Sequence, residues 1–506
     1  MKKIGFKILC LTITIFFASG CSKYLDINSD PSVPQSTDAV NILPPILAQM
    51  VSGEVFDTRF IGRYIQNFSL NNGVDDYEGQ GYAPNSDNMG QKWRCHYWTI
   101  GKNIDLIIAD ATPKKNFDLV GAAEAIRAWS WQSSTDYHGD MILKQAWEPN
   151  RYVFDYDGQD LIYAEVLRLC TDALANLNDK TTVPRLVLGD ATYKGDVEKW
   201  KRFVYGVLAR NAHHISNKKT LYKPDDVIKY CDLALQSNAD NFAVQHTASS
   251  SLDANFFGIL RDNLKAYRPT TTIIQLLDGT AFKGVRDPRL PVMFVPSPDS
   301  VFRGIVPFGT DPTAKGSSKR VLDLWGIEPT LVSGTFPGTG RWIFDDKSPH
   351  YIMTYAEIQF IKAEAAFIKG DKAVALDAYK KGIAAHMDFC NVSATDKTKF
   401  LASAAIAQTG DVLTIADIMQ QKYIALYGHG VLESWVDMRR YRYSTDVYTT
   451  YVPPTTTTLY FSNGGKFAYR VRPRYNSEYV WNFAALQVIG ADKLDYHTKE
   501  MWFMQP

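Results

Sequence analysis

Residues 354–386, TYAEIQFIKAEAAFIKGDKAVALDAYKKGIAAH, constrain the fold more than any other stretch of the chain. Ile358, Ile361, Ala365 and Ile368 recur at three- and four-residue steps, which predicts a helix over 355–369 with one apolar face. Gly370 permits a left-handed cap, and Asp371 can open a second helix. In that helix Ala375, Tyr379 and Gly382 are spaced four and three apart. Small residues at both ends of the triplet let two backbones approach, and the aromatic ring between them fills the groove. The triplet recurs as Val166, Cys170 and Ala173, and again as Val227, Cys231 and Ala234. Repetition of one packing unit predicts stacked helical hairpins that bury their apolar faces on one another.

The hairpin resembles a tetratricopeptide (TPR) unit. Helical periodicity covers about 41–245 and 350–440, with helices expected over 41–68, 93–110, 122–136, 160–177, 197–216 and 225–235. A further helix over 414–440 is expected to break near Gly428–Gly430. Between the helical blocks, 249–349 is rich in Gly, Pro, Thr and Ser and reads as loops, short strands and one or two short helices. An irregular segment of that length in a compact protein usually carries function. The fold class expected is therefore all-α dominated, a TPR-like scaffold carrying an irregular subdomain, with 41–506 as a single domain.

The first residues, MKKIGFKILCLTITIFFASGC, carry Lys2, Lys3 and Lys7, then an apolar run too short to span a bilayer, then small residues before Cys21. This is the pattern of a bacterial lipoprotein signal over 1–20, with Cys21 as the lipid-bearing (palmitate and diacylglyceryl) N-terminus and 21–40 as a tether. Several acyl chains, at about 0.8 kcal/mol per buried CH₂, anchor such a protein firmly. No later apolar run reads as long enough to cross a membrane, so a soluble body on a lipid leash is expected.

The 506 residues carry a formal charge of +1, which gives no electrostatic footprint for nucleic acid. Aromatic residues make up 13%, a surplus that suits a protein presenting flat apolar faces to ligands. Cys95, Cys170, Cys231 and Cys390 form no regular framework, and no essential disulfide is expected.

No GxSxG, HExxH, Walker A or EF-hand pattern occurs. The run GTFPGTG at 334–340 lacks the Lys-Ser/Thr of a phosphate loop and reads as a turn. His213 and His214 are adjacent on a helix and face different ways, so they do not read as two ligands of one metal. No catalytic residue, no metal site and no cofactor are expected; a loop calcium ion at Asp76 or Asp87 is the one metal left open. Ligand binding asks instead for aromatics beside polar groups on loops held by a rigid scaffold. Two stretches fit: 71–98, with Asn72, Asp76, Tyr77, Tyr82 and Trp93, and 325–342, with Trp325, Arg341 and Trp342. Tyr77 and Tyr82 lie in a loop full of Asn, Asp and Gly and read as exposed. Trp129, Trp131, Trp200 and Trp435 sit inside helices and read as core.

Several pieces occur in a telling order: CSKYLDINSDP after the signal, DPRLP at 287–291, YAEIQFIKAEA at 355–365, then IMQQKYIALYG with ESWVDMRR, and RPRYNSEY with Trp481-Asn482. Together they resemble the SusD/RagB family of Bacteroidetes outer-membrane nutrient-binding lipoproteins, over essentially the whole mature chain. The resemblance implies a surface-exposed, lipid-anchored protein that binds oligosaccharides or peptides without covalent chemistry and passes them to a SusC-like TonB-dependent transporter. A lid on a barrel needs a large flat surface, which stacked helices supply, so the transporter is expected on the helical repeats. In the family the ligand site comes from roughly the two stretches named above. A surface-anchored glycan- or peptide-degrading hydrolase, or a TPR adaptor without a small ligand, are the alternatives.

Overall fold

The computed structural model describes residues 37–70, 75–311, 316–327 and 340–506. The signal, Cys21, most of the tether, Asn72 and most of the 334–340 run lie outside the described residues. Helices dominate: α1 (Ala39–Tyr64), α2 (Gln91–Arg94), α3 (Lys102–Ala111), α4 (Phe117–His138), α5 (Gln159–Leu177), α6 (Val197–His214), α7 (Pro224–Leu233), the short α8 (Thr271–Leu277) and α9 (Leu290–Met293), α10 (Tyr355–Lys369), α11 (Lys372–Phe389), α12 (Ala394–Leu401), α13 (Ile415–Ala425), α14 (Val431–Arg440) and α15 (Phe483–Ile489). This is the expected all-α, TPR-like class.

The hairpin that anchors the sequence reading is formed by α10 and α11. Thr354 caps α10 by accepting from the Glu357 amide, Gly370 ends it in the left-handed region at φ 88°, and Asp371 caps α11 from the Val374 amide. Tyr379 is fully buried in the groove. A Cβ at Gly382 would lie 2.9 Å from the Phe360 ring, so only a bare backbone fits there. The other triplets behave alike: Val166, Cys170, Ala173, Val227, Cys231 and Ala234 are all buried. Ile368 departs from its expected place. It is 44% exposed, because Phe360, Ala363 and Glu364 take the inner positions of α10 instead. The long break expected at 428–430 is real, and α13 and α14 meet there at Gly428, whose φ is 80°.

Two antiparallel strand pairs frame the irregular segment. β2 (Phe242–Val244) pairs with β4 (His350–Met353), so the entry to and exit from 249–349 are zipped together. β1 (Phe68–Leu70) pairs with β3 (Tyr267–Pro269), fastening the segment to the end of α1. Helix α1 also corrects the membrane reading. By length and composition it is apolar enough to cross a bilayer, with a hydropathy of 1.3. Its Leu43, Ile46, Met50 and Ile61 nevertheless lie fully buried in the protein core, which accounts for that composition.

Where the helices converge, the core is ionic. Arg210 of α6 forms a two-pronged pair with Glu357 of α10, at 2.6 and 2.7 Å. Arg440 of α14 does the same with Glu364 of α10, at 2.7 and 2.9 Å, and also reaches Asp437. Asp437 in turn holds Lys422 of α13 at 2.8 Å. His213 and His214 do point different ways: His213 meets Glu364 at 2.8 Å, while His214 lies between Asp136 of α4 at 2.9 Å and Glu433 of α14 at 3.0 Å. Every one of these side chains is buried.

Burial alone disfavours a charged imidazole, but the two carboxylates on His214 outweigh it and raise its pKa from 6.5 to about 9. A folded-state value above the unfolded one stabilises fully below about pH 6.5 and is lost as pH rises through about 9. The difference in unfolding free energy between the natural protein and His214→Gln, read by urea titration, should be about 3 kcal/mol at pH 6 and shrink steadily toward pH 10. A difference that stays constant over that range would show that His214 is not held as imidazolium.

Candidate ligand cleft

The helix that begins at α2 does not continue regularly. Residues Cys95–Gly101 form a π-helical segment before α3 resumes. A π-turn holds one residue more than an α-turn, so Trp93, Tyr97 and Trp98 are gathered on one side. Trp93 is buried, Tyr97 is half-buried, and Trp98 projects with 74% of its surface exposed. A second π-helical segment, Tyr475–Tyr479, faces the first. Between them lies a cleft of about 460 Å³, walled by these rings together with Ile142, Ala146, Trp147 and Phe154 and edged by Arg94, Arg474, Ser477 and Glu478.

Trp147 is placed by strain and by a gap. Its backbone is in the left-handed region at φ 61°, which for a non-glycine residue costs on the order of 1–3 kcal/mol. Its ring lies so close to Gly101 that a Cβ there would sit 2.0 Å from it. Its indole N–H donates to the Tyr97 carbonyl at 2.7 Å, and the Arg127 guanidinium lies 5.1 Å above the ring. Behind it, the Trp131 ring of α4 packs edge-on against His96 at 4.1 Å and Trp147 at 5.8 Å.

The opposite wall is clasped shut from two directions. Asn482 accepts from the Phe154 amide at 3.0 Å and donates to the Phe154 carbonyl at 2.9 Å. Glu478 accepts from the Tyr156 hydroxyl at 2.6 Å and from Asn482 at 3.1 Å. Burial, with that carboxylate alongside, raises the Tyr156 phenol well above its usual range. Asp87 ion-pairs with Arg474 and accepts from the Asn476 amide at 2.9 Å, tying the 75–90 loop to the same wall.

The residues expected at a site fall in different places. Trp93 lines the cleft. Tyr77 and Tyr82 are each 7% exposed, which corrects their reading as exposed loop rings: Tyr77 packs on Phe60 at 4.5 Å, and Tyr82 packs on Tyr460 and His497. Asp76 is exposed and does not line the cleft. Trp325 is 5% exposed and donates to the Phe257 carbonyl, a core position. Arg341 donates to the carbonyls of Pro291 and Val292, and Trp342 stacks on Tyr427 at 6.4 Å. The two expected stretches are therefore not brought together in one cleft. Among the described residues no group of three or more His, Cys, Asp or Glu could hold a metal ion. Cleft residues that sequence reasoning missed are Arg94, Tyr97, Trp98, Trp147, Phe154, Arg474, Ser477 and Glu478. The signals were present in RPRYNSEY and in Trp98 at the edge of the first stretch.

A profile of the SusD-like family, described as starch-binding and associating with outer membrane, matches residues 31–453. The chain belongs to the SusD-like family. Its solved relatives include a SusD/RagB family protein from Bacteroides thetaiotaomicron, 20% identical, with a TM-score of 0.68 over 93% of this chain and 99% of that one. A SusD homologue from Bacteroides uniformis is 18% identical, with a TM-score of 0.72 over 93% of this chain and all of the other. A chitin-binding protein is 21% identical, with a TM-score of 0.71 over 92% and 99%. No curated protein sequence matches the chain. The family is one of carbohydrate-binding, outer-membrane-associated proteins.

The double hydrogen bond of Asn482 makes a prediction for this SusD-like wall. Asn482→Ala should speed hydrogen exchange at the Phe154 amide and lower stability by about 1–3 kcal/mol. Unchanged exchange there would mean the clasp does not hold the loop.

Proposed function

We propose that this protein is a non-catalytic surface receptor that seats an oligosaccharide in the aromatic cleft and hands it to a SusC-like, TonB-dependent transporter. The observation that carries the reading is the exposed Trp98 indole at the mouth of a cleft walled by Trp93, Tyr97, Trp147 and Phe154. A sugar ring offers an apolar face to such a plane, and its hydroxyls pair with groups such as Arg94, Ser477 and Glu478 at the edge. The family description as starch-binding favours a carbohydrate over a peptide. Among the described residues Glu478 is the one carboxylate that lines the cleft, whereas glycoside hydrolysis ordinarily uses two. The lipoprotein pattern ending at Cys21 supports attachment to the outer membrane, and a stacked-helix scaffold suits docking on a barrel.

The test is titration of the purified soluble body with a panel of oligosaccharides, read by tryptophan fluorescence and calorimetry. A bound member should lose about 2 kcal/mol, roughly thirtyfold in affinity, with Trp98→Ala. The same oligosaccharide should emerge from overnight incubation uncut. Release of shorter products, or full affinity in the alanine variant, would overturn the reading. Pull-down of the lipidated protein from its native membrane should bring a large β-barrel with it.

A further inference from the structure

Among the described residues three charged side chains line the cleft, and two already have partners. Arg474 is engaged by Asp87, and Glu478 by Tyr156 and Asn482. Arg94 is exposed and makes no ion pair or side-chain hydrogen bond with any described residue. It stands four residues before Trp98. Four residues after Trp98 comes Lys102, also exposed and also unpaired among the described residues. The helix thus carries a cation, a bare indole and a second cation along one side.

The acids nearby do not answer these charges. Asp105 is paired with Arg127, Glu148 with Arg151, and Asp157 with Lys144; Asp155 accepts from the Gln145 amide. A planar guanidinium beside an apolar ring plane complements a sugar that bears a carboxylate or sulfate at its rim, because charge-assisted hydrogen bonds are the stronger ones and the guanidinium fork fits both groups. We propose that the oligosaccharide taken by this cleft is acidic, its uronate carboxylate or sulfate ester seated on Arg94 while its ring lies on Trp98. Lys102 extends the positive stripe toward the next unit of the chain. This rests on the carbohydrate-binding reading above and narrows it away from neutral glucans.

Three sets of matched length decide it: neutral malto-oligosaccharides, oligogalacturonates and sulfated galactan fragments, each titrated into the natural protein and into Arg94→Gln. One acidic set should bind at least about tenfold more tightly than the neutral set, a gap of about 1.4 kcal/mol. That advantage should shrink as salt is raised and vanish in Arg94→Gln. Which acidic set wins tells carboxylate from sulfate. Neutral binding as tight as either acidic set, or an acidic preference that survives Arg94→Gln, would overturn the proposal while leaving carbohydrate binding intact. If no set binds, and Trp98→Ala gives the same null titrations, both readings fall together.

Discussion

The scaffold depends on charges that cannot be separated. Arg210, Arg440, Lys422 and His214 sit inside the protein with Glu357, Glu364, Asp437, Asp136 and Glu433 as their ionic partners. Each ion costs several kcal/mol to remove from water, and well-packed apolar residues could give similar or greater stability. What the ions supply is selectivity of arrangement. Leucine on leucine tolerates a helix sliding by a turn; a two-pronged guanidinium–carboxylate pair does not. The network joins helices far apart in sequence, from α4 to α14, so it fixes how the two helical blocks on either side of the irregular segment meet. Removing one partner would strand a buried charge, at a cost of about 3–5 kcal/mol.

That rigidity reaches the cleft through α4. The helix that supplies Asp136 to the network supplies Trp131 to the back of the site, one and a half turns earlier on the same rod. Trp131 supports His96 and Trp147, and these support the π-helical segment from which Trp98 projects. The rings behind it, Trp93, Tyr97 and Trp147, pack on one another, whereas Trp98 itself is 74% exposed and is placed through its backbone. A binding surface of flat rings gains from such anchoring, since little side-chain freedom remains to be lost when a ligand arrives.

Periodicity made the scaffold legible. Tyr379, Cys170 and Cys231 announced their burial through four-and-three spacing, and Gly370 and Asp371 announced the turn between α10 and α11. Ile368 shared that spacing and still ended outside, because the side of α10 that faces a neighbour is settled by which helices surround it. The cleft was far less legible. Its walls come from 93–98, 142–154 and 474–478, which no local pattern relates. A π-turn has no apolar signature of its own, and the left-handed backbone at Trp147 is invisible in its residue type. Tyr77 and Tyr82 were misread for a related reason: the polar composition of their loop describes the loop and not what packs on it, Phe60 of α1 against Tyr77 and the Tyr460 and His497 segments against Tyr82. Trp325 and Trp342 answered to composition in the same way, and packing has drawn both inward.

Four of the six cysteines carry one more implication. Cys95 lies in the π-helical segment beneath the cleft, Cys170 and Cys231 lie in separate hairpins, and Cys390 closes α11; all are buried and none is bonded to another. Burial pushes every one of these thiols above its usual range, leaving almost no reactive thiolate in the folded state. A maleimide added to intact protein therefore leaves these four unalkylated until some part of the molecule opens. Because the sulfurs are distributed through the architecture, the order in which they become labelled would map which hairpins breathe first and whether the ligand-side helix loosens before the scaffold does.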